Sequence, residues 1–321
     1  MVSGQTSSKV SEHVFVGSEC LADYLRALNL DSVVRSRSDQ PSTVRSLEFA
    51  RGFIKELRLG PPITTVGATA GDMVAIGLPL CDAASWRVDG RQFDGSILVG
   101  VPHREHFITT PGDVHFLTLL VDRQDFFEQW RTLTGLDGEP SSAVVQLAPE
   151  ERHRFRAIGG AMVRFLARAT CKEHGHVCDD GRFAAAWKSV ILDITVLAMA
   201  AALPRVPRLK VAGARRIMLN AIEFVRRHPA AAPSVSDLCT VCATNERSLR
   251  QAFVQTVGMG PRAYLRVRRL HLARRCLQTM RGDDVSVARV ATDHGFFDLG
   301  RFAGDYRQLF GELPSETLRR A

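Results

Sequence analysis

Two stretches near the C-terminus repeat one another: SVSDLCTVCATNERSLRQAFVQTVGMGP at residues 234–261 and SVARVATDHGFFDLGRFAGDYRQLFGELP at residues 286–314. In the first, Ser234 and Asp237 have the spacing of a capping box, ahead of a helix whose apolar stripe is Val235, Leu238, Cys239 and Cys242. Asn245 then caps a second helix with Leu249, Phe253 and Val257 on one face, ending near Gly258. In the second stretch Ser286 caps a helix carrying Val287, Val290, Ala291 and His294. Gly295-Phe296 makes the turn, and Asp298 caps a helix with Phe302, Tyr306 and Phe310 that stops near Gly311. Pro261 and Pro314 each follow the stop by three residues. Two short capped helices joined by a tight turn, twice over, predict a tandem helix-turn-helix at about 235–257 and 287–310. Between them a helix from Pro261 through Tyr264, Leu265, Arg269, Leu270, Ala273 and Leu277 would span ~25 Å as a rigid spacer.

Charge singles out the same segment. The chain has 321 residues and a formal charge of +8. Residues 213–321 hold 18 Arg, no Lys and 10 Asp plus Glu, a surplus of +8, while residues 1–212 balance 24 cations against 24 anions. A basic segment on a neutral one favours a polyanionic partner, nucleic acid or an anionic membrane surface. The membrane does not compete, because the arginines lie on short capped helices that leave no apolar face to insert.

Other classes are excluded by what surrounds it. Met1 to Lys9 lacks the apolar core of a signal peptide, so a cytoplasmic location is expected. The longest apolar run, Val190 to Leu203, is 14 residues interrupted by Asp193, short of the roughly 20 a membrane span needs, and reads as a buried helix. Seven cysteines without regular spacing argue against a disulfide framework. Cys239 and Cys242 form a CxxC, yet their helical spacing makes them small buried thiols rather than a redox pair. Cys171, His174, His176 and Cys178 could hold zinc, but they crowd closer than structural sites do, and a polar inter-helix loop explains them as well.

Towards the N-terminus, residues 1–148 are expected to form a β-rich domain, a degenerate cupin-like barrel with a helix behind it. Asp89-Gly90 and Asp94-Gly95 are hairpin dipeptides flanked by Trp86-Arg87-Val88, Arg91-Gln92-Phe93 and Ile97-Leu98-Val99. Val114 to Val121 reads as a strand, and Asp122 as the cap of a helix with Phe126, Phe127, Trp130 and Leu133. Residues 149–203 read as a helical hairpin. Its Ala-rich second helix needs a partner surface, either internal core or a dimer seam. Pro204 to Arg208 begins the linker (204–212) into the basic domain at 213–321. The fold class is thus α+β, with an all-α C-terminal domain.

The motif order resembles the AraC/XylS family of bacterial transcription regulators over about 100 residues: Tyr264-Leu265, Arg269-Leu270, Ala273, Val290-Ala291, Gly295-Phe296, Phe302, Tyr306, Phe310-Gly311 and Pro314. More narrowly, Asp298 to Tyr306 looks like the branch of ethanolamine-operon regulators, with weaker similarity at Gly77-Leu78-Pro79 and Thr110-Pro111-Gly112-Asp113. Members often carry an aromatic and an Arg soon after the final Pro, where this chain has Thr317 and Leu318. The resemblance implies a transcription factor, commonly an activator, that binds double-stranded promoter DNA as a homodimer, works with RNA polymerase and answers to a small-molecule effector. It implies no catalytic activity and no cofactor.

On the first recognition helix the face opposite Leu249 and Phe253 carries Arg247, Arg250 and Gln251, the side chains that read guanine and adenine edges. Asn245 and Ser248 would approach the backbone. Superposing Leu249 on Phe302 carries the three reading positions to Gly300, Ala303 and Gly304, none with a side-chain donor. Direct readout is therefore expected mainly from the first helix. The second would offer close backbone approach, a methyl contact from Ala303 or Leu299, and phosphate contacts from Arg301 or Arg307. Arg269 is included among backbone contacts, although its family position is more often structural. Arg266, Arg268, Arg274 and Arg275 read as the solvated face of the connecting helix.

Two other functions compete. His103, His106 and His115 could ligate a metal in an enzyme, although Arg104 lies between the first two and strand-edge histidines are usually surface. A DNA-binding protein without a ligand, controlled by abundance or by a partner protein, is the other. Trp86, His103, Arg104, Glu105, His106 and His115 are where an effector pocket is sought, each equally explained by core or surface roles. A small amine or cobalamin is what the ethanolamine resemblance would imply.

Overall fold

The computed structural model of the chain describes all residues except 1–8, 16–17, 29, 50, 70, 82–85, 94–96, 103, 138–142, 146, 171–179, 203–211, 229–232, 280–285 and 321. The N-terminal part runs β1 (Lys9–Phe15), α1 (Ser18–Ala27), β2 (Leu30–Val34), β3 (Ser42–Phe49), β4 (Gly52–Leu59), β5 (Ile63–Gly67) and β6 (Met73–Pro79). It continues with β7 (Trp86–Val88), β8 (Arg91–Phe93), β9 (Ile97–Gly100), β10 (His106–Thr109), β11 (Val114–Asp122), α2 (Arg123–Thr134) and β12 (Ala143–Val145). Helices α3 (Pro149–Thr170) and α4 (Asp180–Ala202) follow. The C-terminal part is α5 (Ala212–Arg227), α6 (Val235–Val241), α7 (Glu246–Val257), α8 (Pro261–Thr279), α9 (Val287–Asp293), α10 (Leu299–Phe310) and α11 (Pro314–Arg320).

The strands make two antiparallel sheets, ordered β1-β3-β4-β11-β6-β9-β12 and β2-β5-β10-β7-β8. Strand alternation sends side chains to opposite faces, and each face meets a different neighbour. Leu117, Leu119 and Val121 of β11 pack with Phe126 of α2, Met162 of α3 and Ile191 of α4. Val114 of β11 instead joins Leu21, Val34, Ile63, Trp86 and Phe93 between the sheets. On the far face of the smaller sheet, Val33, Val66 and Phe107 pack with Leu238, Leu249, Phe253 and Tyr264. The order of layers is therefore helices, large sheet, small sheet, first helix-turn-helix.

Local signals produced the expected elements. Asp122 caps α2 by accepting from the Gln124 amide, and Gly135 ends it in a left-handed conformation. Asp89 and Gly90, at φ 50° and 80°, turn the β7–β8 hairpin. Asp94-Gly95 lies outside the described residues. The apolar face of α4 is internal core: Ile191, Leu192, Val196 and Met199 are buried against the large sheet, while Val190 and Leu197 stay exposed. Strands β1 and β2 and helix α1 lie inside the 1–148 region expected to be β-rich, although no motif in the sequence singled them out. Their pairing partners are distant, as in β1 with β3, so no local periodicity announces them.

Burial of Val33, Val66 and Phe107 contributes roughly 1.5–3 kcal/mol each. Polar contacts then fix how the sheet meets the helices. Asp31 of β2 accepts from Arg268 of α8 at 2.9 Å and from Arg226 of α5 at 3.4 Å, and Arg226 also pairs with Glu105. His271 of α8 donates from Nε2 to the Val34 carbonyl at 3.1 Å. The first helix-turn-helix thus shares its core with the small sheet, whereas the second keeps its own, built from Leu270, Ala273, Leu277, Val290, Ala291, Phe302, Tyr306 and Leu309.

Candidate nucleic-acid interface

The two helix-turn-helix units match element by element: α6 and α9 have 7 residues each, α7 and α10 have 12 each. Ser234 and Asp237 close the capping box of α6, and Ser286 accepts from the Arg289 amide at 3.1 Å. Asn245 Oδ1 accepts from the Ser248 amide at 2.8 Å and Asp298 Oδ1 from the Arg301 amide at 2.9 Å. Each cap satisfies an otherwise orphaned donor and so holds the reading end of its helix rigid. Gly258 and Gly311 end the two helices at φ 74° and 80°. Cys242 is buried in the first core with Cys239 partly buried beside it, as small thiols.

Arg247, Arg250 and Gln251 are exposed on one face of α7, opposite the buried Leu249 and Phe253. At the matching positions of α10, Gly300 and Gly304 are exposed and Ala303 is partly exposed, with Leu299, Arg301 and Arg307 exposed around them. A cleft of about 990 Å³ separates the units, bounded by Ser234 and Val235 on one side, Phe297 and Arg301 on the other, with Arg262 and Arg266 along α8.

The arginines of α8 divide in a way the sequence did not indicate. Arg268 and Arg274 are not solvated: their side chains are 14% and 15% exposed and pair with Asp31 and Glu312. Arg266 pairs with Asp305 at 3.4 Å and Arg275 with Asp23 at 3.4 Å, both more open. Arg269 turns inward. Its guanidinium lies 5.3 Å from the centre of the Phe296 ring and donates to the Gly295 carbonyl at 3.3 Å, so it pins the second turn to α8. Burial and the neighbouring Arg266 charge hold its pKa below the usual value.

The residues singled out for an effector do not converge. Trp86 is buried between the sheets, stacked on Phe93 and tilted against Phe116. His106 is buried and meets Asp89 through Nδ1 at 3.0 Å. His115 lies on the large sheet and bonds the buried Glu56 at 2.9 Å. Burial works to raise the Glu56 pKa, but His115, Arg58 and Arg45 outweigh it and bring it down to about 2. Glu105 is taken by Arg226, and Arg104 is partly exposed. Among the described residues no group of three or more His, Cys, Asp or Glu is placed to share a metal ion. His103, like Cys171, His174, His176 and Cys178, lies outside the described residues.

Sequence reasoning passed over Phe297, which stands 84% exposed just before the cap of α10. It also passed over the pairing of Asp31 with Arg226 and Arg268, which joins residues too far apart in sequence for any local signal.

Residues 238–320 match the family model described as a helix-turn-helix domain. The XylDLEGF operon transcriptional activator of Pseudomonas putida is 38% identical over 98 residues, covering 30% of this chain and 30% of that protein. The probable thc operon regulatory protein of Rhodococcus erythropolis is 34% identical over 105 residues, covering 32% of this chain and 31% of the other. The matched segment thus spans about 30% of the length of these curated relatives. Among solved structures, the AraC-like transcriptional activator CuxR aligns over 82% of this chain and 94% of its own, with 14% identity and a TM-score of 0.44. No described helix is long and apolar enough to cross a membrane. The tandem geometry and the sequence match together identify residues 238–320 as a helix-turn-helix domain similar to that of the XylDLEGF operon transcriptional activator.

Proposed function

We propose that the chain is a sequence-specific DNA-binding transcriptional regulator, an activator like the relatives named above, and not an enzyme. The observation that carries this is the exposed Arg247, Arg250 and Gln251 on a capped helix of a basic tandem unit. Arg donates bidentately to guanine O6 and N7, and Gln donates to adenine N7 while accepting from adenine N6, each pair discriminating by roughly 1–3 kcal/mol. Asn245, Ser248, Arg301 and Arg307 approach phosphates, and Gly300, Ala303 and Gly304 let the second helix come close to the duplex. Residues 1–148 act as the sensing domain, 149–203 as the dimerising hairpin through the face of α4 that exposes Val190 and Leu197, 204–212 as linker and 213–321 as the DNA-binding domain. RNA polymerase, a homodimeric partner and a cytoplasmic setting complete the reading. Asp298 to Tyr306 supports a place near the ethanolamine-operon branch.

A small-molecule effector acts through the small sheet, whose outer face is part of the first unit's core. The close packing of Trp86, Phe93 and Phe116 between the sheets favours a second reading, control by abundance or a partner protein without a ligand. Titration of a selected duplex with and without candidate metabolites separates the two. The central test is selection of duplexes from a random library, followed by Arg250→Ala and Ala303→Gly on operator variants. Arg250→Ala relaxes base preference and Ala303→Gly does so less. Equal relaxation removes the asymmetry between the units, and no sequence preference in the wild type removes the function.

A further inference from the structure

The units differ in length at one place, the turn between their helices. In the first, Cys242, Ala243, Thr244 and Asn245 connect α6 to α7; in the second, His294, Gly295, Phe296, Phe297 and Asp298 connect α9 to α10. The second turn is one residue longer. Phe296 uses the extra length to pack on Phe302, with ring centres 4.9 Å apart, and to receive the Arg269 guanidinium. Phe297 is left outside, 84% exposed, immediately before the cap of α10, with Leu299 exposed by 45% just after it. Exposing an aromatic ring and an aliphatic side chain together forgoes burial that would be favourable for both. The N-terminal end of a recognition helix is the part that meets base edges, and here that end offers no side-chain hydrogen bonding at Gly300, Ala303 or Gly304. The one apolar feature on a major-groove edge is the thymine 5-methyl group, which Phe and aliphatic side chains contact. Exposed Arg301 and Arg307 beside the pair suit the phosphates flanking such a site.

We propose that Phe297 and Leu299 read thymine 5-methyl groups in the half-site of the second unit, so that the two units recognise DNA by different chemistry: hydrogen bonds in the first, apolar contact in the second. This rests on the DNA-binding reading above.

The test uses the full-length chain and a duplex it selects from a random library, with thymines replaced by uracil in one half-site at a time. Uracil keeps every hydrogen-bonding atom and lacks only the methyl. The half-site whose base preference relaxes in Arg250→Ala belongs to the first unit. Each critical uracil in the other half-site weakens wild-type binding by roughly fourfold, the factor for one methyl-sized group. Phe297→Ala binds the thymine duplex more weakly and loses the thymine-to-uracil difference, while Phe297→Leu keeps part of it. Because Phe297 is exposed, its thermal unfolding stays as in the wild type, which separates lost reading from lost folding. A selected half-site without thymine, or equal binding to thymine and uracil duplexes, overturns the proposal. So does a Phe297→Ala variant that binds both duplexes as the wild type does but fails in transcription, which would assign the ring to a protein partner. Failure of the wild type to select any duplex instead refutes the DNA-binding reading itself.

Discussion

Asp31 and Arg268 meet at 2.9 Å although 237 residues separate them, and neither side chain is more than 17% exposed. Burial alone would raise the Asp31 pKa, but the charges and hydrogen bonds of Arg268 and Arg226 prevail and hold it below the usual carboxylate value. Asp31→Ala leaves Arg268 buried without its counter-charge and is expected to cost about 3–5 kcal/mol in urea unfolding. Asp31→Leu combined with Arg268→Met recovers most of that loss, because a packed apolar pair carries no stranded charge. The native pair's contribution is complete above the unfolded aspartate pKa of about 3.9 and is lost as pH falls through the lower folded value.

His271 gives a pH dependence in a milder range. Burial first, then the charges of Arg274, Arg26 and Arg275, push its pKa down to about 4 from 6.5, against the support of the Val34 carbonyl. The unfolded chain therefore binds a proton between those values that the folded chain refuses. Stability is full above pH 6.5 and declines as pH falls towards 4, by up to about 2 kcal/mol once partial solvent contact of the ring is allowed for. His271→Gln can still donate to Val34 and does not titrate, so it flattens this part of a stability-against-pH curve.

Ala243 occupies the left-handed region at φ 47° in the first turn, where the second turn has Gly295 at φ 75°. A Cβ in that conformation costs roughly 1–2 kcal/mol, and glycine's greater freedom in the unfolded chain offsets part of the gain. Ala243→Gly should raise stability by about 0.5–1 kcal/mol, read as a higher melting temperature with base preference unchanged.

Thr317 has a defined task. Its hydroxyl lies 2.7 Å from the Tyr306 hydroxyl inside the second core and donates to Glu312 at 2.7 Å. Thr317→Val keeps the shape and deletes both bonds, at an expected cost of about 1–3 kcal/mol in chemical unfolding.

These positions also mark what could be read in advance. Ser234, Asn245, Ser286 and Asp298 each bond an amide three places along, so the caps, and with them the tandem units, were legible from neighbouring residues. Reading positions followed from helical period, which puts Arg247 and Gln251 opposite Leu249 and Phe253 with Arg250 at the border of that face. What escaped depends on distant partners. Arg268 and Arg274 occupy turns of α8 that look solvated until Asp31 and Glu312 arrive from other elements. Phe297 escaped for a different reason: it stands beside Phe296 in sequence and is the same residue type, yet Phe296 packs on the second core while Phe297 is exposed.

The unequal anchoring of the two units bears on how new specificities could arise. Replacing α9 to α11 exchanges a unit whose buried cluster is drawn from α8 to α11, so a chimera needs its core matched along one helix and a residue without a side chain kept at Gly311 beside Arg37. Replacing α6 and α7 would also require refitting Val33, Val66 and Phe107. On the proposed DNA-binding reading, recombination and directed evolution should therefore diversify the second unit more readily than the first, which is tied to the small sheet.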